Sequence, residues 1–123
     1  MKKPIALIVE DDSLLADIFS RTLEDIDYTA LIMPDGLIAS KWLNENIPDL
    51  LVLDMHLPHI SGDKLLKKVQ DNLRFQHTRI MVVTADATMA AQLEGDIMLT
   101  LIKPVDIVSL QKLAYRLRPR DFA

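Results

Sequence analysis

Four polar positions in an otherwise aliphatic chain carry groups capable of chemistry: Glu10-Asp11-Asp12, Asp54, Thr84 and Lys103. Each follows directly on a short apolar run, so each sits where such a run ends. If those ends meet, the carboxylates of Glu10, Asp11 and Asp54 face the ammonium of Lys103 across a small space. Two unit charges about 4 Å apart interact by roughly 4 kcal/mol at an effective dielectric near 20. An uncompensated acidic cluster therefore raises its own pKa values or recruits a cation, and one divalent ion balances the charge left after Lys103. Oxygen-only ligands favour Mg²⁺ or Mn²⁺ over Zn²⁺, with no cysteine and no HExxH pattern to argue otherwise. Calcium is disfavoured because no DxDxDG-type loop is present. A hard cation beside a carboxylate nucleophile suits phosphoryl transfer, where the protein positions groups and neutralises charge.

Taken singly, these residues have plainer readings. Asp54 after an apolar run could be a loop or cap residue. Glu10-Asp11-Asp12 could serve the start of a helix through its dipole, and Asp12 is read as doing only that. Thr84 alone is a strand-end hydroxyl and Lys103 a solvated charge. His56 and His59 invite a reading as catalytic bases. The plainer assignment is a backbone contribution from His56 and an exposed loop position for His59, with His77 at the surface.

The elements that would bring these groups together are legible in the hydropathy pattern. Apolar runs at 5–9, 29–33, 50–53, 80–83 and 99–102 are continuous rather than alternating, as in a parallel sheet covered on both faces. Between them lie segments of helical period. Leu14, Leu15, Ile18, Phe19, Thr22, Leu23 and Ile26 form a broad stripe entered through Asp12 or Ser13 as cap. Asp35 precedes a helix expected to bury Ile38, Ala39, Trp42 and Leu43 and to stop near Ile47-Pro48. Ser61 opens a third helix with Leu65, Leu66, Val69 and Leu73 inward. Residues 87 to 93 read as a short fourth. Asp106 caps a last one with Val108, Leu110, Leu113, Ala114 and Leu117. The order is (βα)₅, which right-handed crossovers wind into a doubly wound, flavodoxin-like parallel sheet with strand order 2-1-3-4-5. In that arrangement ligands bind outside the carboxyl ends of the strands, where the order reverses. Glu10, Asp54, Thr84 and Lys103 all fall there.

Composition bounds the rest. The 123 residues suit one domain, with a core about 4–118 and a short tail. Half of the residues are apolar but only 5% aromatic, so aliphatic and Met side chains must fill the core. The absence of cysteine fits a reducing cytoplasm, and the N-terminal apolar stretch is too short for a signal peptide or a membrane span. A net charge of −4 and a pI near 5.2 argue against direct nucleic-acid binding. The basic residues Arg116, Arg118 and Arg120 read as a solvated helix end or the start of a linker.

The segments Leu7-Ile8-Val9-Glu10-Asp11-Asp12, Leu51-Val52-Leu53-Asp54-Met55-His56-Leu57-Pro58 with Gly62, Val83-Thr84-Ala85 and Lys103-Pro104 together resemble the signature of response regulator receiver domains of bacterial two-component signalling. The likeness covers essentially the whole chain. It implies that Asp54 is the phosphoacceptor, attacking phosphorus in a phosphohistidine of a histidine kinase or phosphotransfer protein. It implies Mg²⁺ (or Mn²⁺) bound by Asp11, Asp54 and the backbone carbonyl of His56, with Glu10 acting mainly through a metal-bound water. Lys103 would pair with the acceptor and then with a phosphoryl oxygen. Thr84 would turn its hydroxyl onto the phosphoryl group, and the Lys103-Pro104 bond would be cis. Such a module acts on no outside substrate. It promotes its own phosphorylation and hydrolysis, and it passes the signal to a downstream protein or to an effector domain outside this chain. A homodimer is compatible with that role.

Departures from the family pattern concentrate on one face. The position three before Lys103, usually Tyr or Phe, is Thr100. The stretch from Thr84 to Lys103 is short, and the small-residue element before the last strand is replaced at best by a shifted Gly95-Asp96. These changes imply that phosphorylation is retained while its readout uses another surface or a weaker rearrangement. Two other functions compete. A pseudo-receiver would bind a partner without phosphorylation, yet Glu10, Asp11, Asp54, Thr84 and Lys103 are all present. A haloacid-dehalogenase-type hydrolase needs a second acid two residues after the nucleophile, where this chain has His56.

Overall fold

The computed structural model describes residues 2–93 and 98–119. Five strands alternate with five helices: β1 (Ile5–Val9), α1 (Ser13–Glu24), β2 (Thr29–Met33), α2 (Gly36–Leu43), β3 (Leu50–Asp54), α3 (Gly62–Gln70), β4 (Arg79–Thr84), α4 (Ala87–Gln92), β5 (Met98–Ile102) and α5 (Ile107–Arg116). A single 3₁₀ turn, Leu73–Phe75, follows α3. All strand pairs are parallel and the order is β2-β1-β3-β4-β5, the flavodoxin-like winding expected from the sequence. Among the described residues no helix is long and apolar enough to cross a membrane.

Burial explains the winding. β1 and β3 are central and their apolar residues are 0–1% exposed, apart from the half-buried Ile5. Alternate side chains feed two separate cores. One contains Leu7, Val9, Leu51, Leu53 and Val82 with Ala39, Leu43, Leu65 and Val69 from α2 and α3. The other contains Ile8, Leu50, Val52, Met81 and Val83 with Phe19, Leu23, Leu110 and Ala114 from α1 and α5. This period-2 division is what a strand covered on both faces must do. β2 departs from it: as an edge strand it is only half covered, and Ile32 is 41% exposed.

The helices start where the short acids allow. The Asp12 carboxylate accepts from the amides of Leu14 and Leu15, Asp35 from Ile38, Asp86 from Thr88 and Met89, and Asp106 from Val108, each satisfying otherwise orphaned donors. The buried faces are narrower than the apolar stripes suggest. Leu14 (70% exposed), Ile18, Ile38 and Val108 (60%) point outward, while Ala16, Ser20 and Gly36 take inward places. A helix lying flat on a sheet buries only the residues nearest it, and small ones allow the closer approach. Leu73 is not the inner end of α3: the helix stops at Gln70, and Leu73 lies 82% exposed in the 3₁₀ turn. Arg120, Gly95 and Asp96 fall outside the described residues.

Tyr28, which the hydropathy reading passes over, is the largest fully buried side chain. Its hydroxyl donates to the Ala114 carbonyl at 2.8 Å, one of the last four carbonyls of α5, which have no partner within the helix. This bond ties the α1–β2 turn to the C-terminal helix. Tyr28→Phe should therefore lower the stability read from urea unfolding by about 1–2 kcal/mol, because a buried acceptor is left unsatisfied. An unchanged urea midpoint would show that water reaches this carbonyl instead.

Candidate functional site

The site is built from the ends of four strands. β1 delivers Glu10 and Asp11, β3 ends in Asp54, β4 ends in Thr84, and Lys103 directly follows β5. Parallel pairing with matched register brings Asp54 beside Val83 and Thr84 beside Ile102, so these ends lie at one rim. The Lys103 amide also donates to the Thr84 carbonyl at 2.8 Å, which continues the ladder one residue beyond β5. The Lys103-Pro104 peptide is cis.

Carboxylate oxygens of Glu10, Asp11 and Asp54 lie within 4.8 Å of one another. Glu10 and Asp54 are each 2% exposed, whereas Asp11 is exposed. Lys103 Nζ stands 3.3 Å from Asp54 Oδ2 and 3.3 Å from Glu10 Oε1, bridging two of the three acids. The other oxygen of Asp54, Oδ1, accepts from the His56 amide at 3.0 Å. Glu10 Oε2 accepts from the Asp12 amide at 3.2 Å, while buried Oε1 faces Lys103 without a hydrogen bond of sound geometry. The imidazoles of His56 and His59 are not among the grouped ligands, and residues 56, 59 and 77 are exposed, as their plainer reading expects.

Electrostatics follow from this crowding. Burial, and after it a hydrogen bond that the protonated form shares with Asp54, pushes Glu10 from 4.5 up to about 7; the Asp12 amide and Lys103 act in the opposite direction. Burial alone would lower the Lys103 pKa, but Asp54 and Glu10 outweigh it and the net shift is upward. The all-oxygen donors, their spacing and the unsatisfied Glu10 Oε1 fit a hard divalent cation such as Mg²⁺.

Close packing fixes the backbone behind the acids. A Cβ at Gly62 would lie 2.5 Å from Met55 Cα and 2.8 Å from the Asp54 carbonyl oxygen, so only glycine lets α3 begin this near the end of β3. Thr84 is fully buried. Its Oγ1 accepts from the Asp86 amide at 3.0 Å and donates to Met89 Sδ at 3.9 Å. The Met89 contact has no counterpart in the sequence reading, which treats methionines as core filler. Its one signal is position, on the first turn and a half after a strand-end threonine. Thr100 donates to the Leu93 carbonyl at 3.3 Å, so a hydroxyl tethers the end of α4 where the family usually has an aromatic ring. Beside the acids an open groove is lined by Glu10, Asp11, Leu14, Ile32 and Pro34, which explains the exposure of Leu14 and Ile32 without a packing defect.

Residues 6–115 match the family described as "Response regulator receiver domain". Among curated proteins, the chain is 39% identical over 83 residues to the sensor histidine kinase TmoS of Ectopseudomonas mendocina, an alignment covering 68% of this chain and 8% of the kinase. It is 33% identical over 81 residues to the polar-differentiation response regulator DivK of Brucella ovis, covering 66% of each. Among solved structures, a receiver domain (CheY-like) from Methylobacillus flagellatus superposes with a TM-score of 0.78 at 25% identity, covering 95% of this chain and all of that one. The chemotaxis response regulator CheY4 of Vibrio cholerae, 21% identical, shares the fold with a TM-score of 0.81 over 94% of this chain and 99% of that one.

The raised pKa of Glu10 makes stability depend on pH. Between 4.5 and about 7 the folded chain holds a proton that the unfolded chain has released, so stability falls as pH rises through that window. Metal-free protein should melt at a lower temperature at pH 8 than at pH 5, and Glu10→Gln should flatten this difference. A slope that survives the substitution would place its origin elsewhere.

Proposed function

The chain belongs to the response regulator receiver domain family, and from that membership we propose that it is a phosphorylation-controlled switch in which Asp54 takes a phosphoryl group in a Mg²⁺-dependent reaction. The observation that carries this reading is the pairing of the buried Asp54 carboxylate with Lys103 Nζ at 3.3 Å, inside a cluster that also contains Glu10 and Asp11. The donor is the phosphohistidine of a histidine kinase or phosphotransfer protein. Similarity to both a sensor kinase and a response regulator supports a partner of that class. The chain spans only 8% and 7% of the length of two of the histidine kinases it matches, so the output partner is read as either a separate protein or an effector joined to a longer polypeptide. We take residues 4–118 as the folding unit and the cytoplasm as its compartment.

In this reading an Asp54 oxygen attacks phosphorus, the new P–O bond forms as the P–N bond to histidine breaks, and the electron pair returns to the imidazole. The carboxylate is suited to attack because buried walls exclude bulk water and the Lys103 ammonium lies directly beside it. Its Oδ1 is oriented by the His56 amide, so the side chain cannot rotate freely. Asp11, Asp54 and the His56 carbonyl would hold Mg²⁺, with Glu10 reached through water. When bound, the ion supplies positive charge to the phosphoryl oxygens. Lys103 then shifts from the acceptor oxygen to a phosphoryl oxygen. Thr84 must release Met89 for its hydroxyl to reach the same group, which links the acidic site to α4 through one side chain. Phosphorylation adds about −1.5 to −2 charges, and the replacement of an aromatic ring by Thr100 leaves that small helix as the element nearest the change.

Incubation with acetyl phosphate should add one phosphoryl group by intact mass. The gain should require Mg²⁺ and vanish in Asp54→Asn. If no mass is gained and neither Mg²⁺ nor a fluoroberyllate mimic binds, the reading gives way to that of a phosphorylation-independent interaction module. Lys103→Met should still fold, because the Lys103 side chain is 28% exposed, and should cut the phosphorylation rate by at least about tenfold. A rate like that of the parent protein would remove Lys103 from the reaction.

A further inference from the structure

The segment that follows Asp54 is held in an uncommon conformation. The Ile60 amide donates to the Pro58 carbonyl at 2.8 Å, closing a three-residue turn, and the central residue, His59, has φ of 69°. A γ-turn with positive φ is rare and strained for a residue bearing a Cβ. It persists only when its surroundings over-determine it. His59 itself contributes little to that, since its side chain is 66% exposed and its nearest charged partner, Asp35 Oδ2, lies 3.7 Å away.

The constraint comes from α2. Gly36, the first residue of that helix, is buried against Ile60: a Cβ there would stand 2.4 Å from the Ile60 carbonyl oxygen and 3.0 Å from Ile60 Cβ. Gly36 has no positive φ, so backbone freedom does not account for glycine at this position. Space does. The opposing atom is a backbone carbonyl, which cannot swing aside as a side-chain tip could. The preceding Asp35 caps the helix through the Ile38 amide, so the start of α2 is fixed as it meets the turn. On its far side the same loop is closed by Gly62, whose amide donates to the Met55 carbonyl and whose Cα packs on Met55 and Asp54. The loop that carries His56 is thus pressed between the starts of two helices.

We propose that Gly36 is a positioning residue for the acidic site, seating the Pro58–Ile60 turn and thereby setting the backbone of Asp54, Met55 and His56. This rests on the reading of Asp54 and the His56 carbonyl given above. Replacing a first-turn glycine by alanine ordinarily stabilises a helix; here the close approach predicts displacement of the turn instead.

The test compares four variants of the metal-free protein by amide chemical shifts and by Mg²⁺ calorimetry. Gly36→Ala should move the Asp54, Met55 and His56 amides and weaken Mg²⁺ binding by about tenfold, the scale typical of lost support behind metal ligands. Leu37→Ala, one residue on and exposed, should do neither. His59→Val, whose β-branched side chain resists positive φ, should reproduce the Gly36→Ala effect, and His59→Gly, which accepts it freely, should not. Folded Gly36→Ala and His59→Val proteins with unmoved amides and parental Mg²⁺ affinity would overturn the proposal. If Gly36→Ala fails to fold, the exposed pair at His59 decides. If the parent protein takes up no Mg²⁺, the reading of the site falls, and the amide shifts alone judge the positioning role.

Discussion

Burial of carboxylates at the ends of the central strands is the constraint on which the rest of this structure depends. Glu10 and Asp54 are almost wholly removed from water and lie beside Asp11. Such a cluster survives only where strong covalent and hydrogen-bonded scaffolding holds it and a cation offsets it. Lys103 supplies part of the offset from the end of another strand. The cost of burial that Lys103 does not offset appears as the upward shift of Glu10 to about 7, set first by burial and then by the hydrogen bond shared with Asp54.

The parallel sheet supplies the scaffolding. Because the inner strands β1, β3 and β4 are covered on both faces, their interior residues are apolar and polar groups occur where they end. Four ends then converge by register rather than by loop conformation. The helices are thin covers: several of their large apolar residues, Leu14, Ile38 and Val108 among them, remain exposed because only a narrow stripe reaches the sheet. Where close approach matters, glycine takes the place of a larger residue, at Gly62 against Asp54 and at Gly36 against Ile60.

Chemistry and readout are unequally developed on this frame. At the acidic rim Glu10 and Asp54 are buried and tied by hydrogen bonds to the Asp12 and His56 amides. α4 spans only Ala87–Gln92, has no fully buried residue, and is attached through the Asp86 cap, the Thr84–Met89 contact and the Thr100–Leu93 hydrogen bond. Few buried contacts and a small number of polar tethers are the physical marks of an element that opens at low cost. The position that is usually aromatic in the family is filled by Thr100, whose hydroxyl bonds locally to the Leu93 carbonyl.

Much of this was legible in the chain itself. Continuous apolar runs ending in Glu10, Asp54, Thr84 and Lys103 announced a parallel sheet with a polar rim, because a doubly covered strand admits polar residues only at its ends. Asp12, Asp35 and Asp106 marked helix starts, since each offers a short acceptor just before an apolar period. The sequence could not decide which side of each apolar stripe is buried, as with Leu14 and Val108, because two adjacent apolar positions are equivalent until a neighbouring surface is present. Nor could it place Tyr28 under α5, Met89 on Thr84, or Gly36 against Ile60. Those pairings join residues distant in the chain, turn on backbone separations of a few tenths of an ångström or, for Met89, on the direction a side chain takes from its helix, and all are fixed only once the layers have packed.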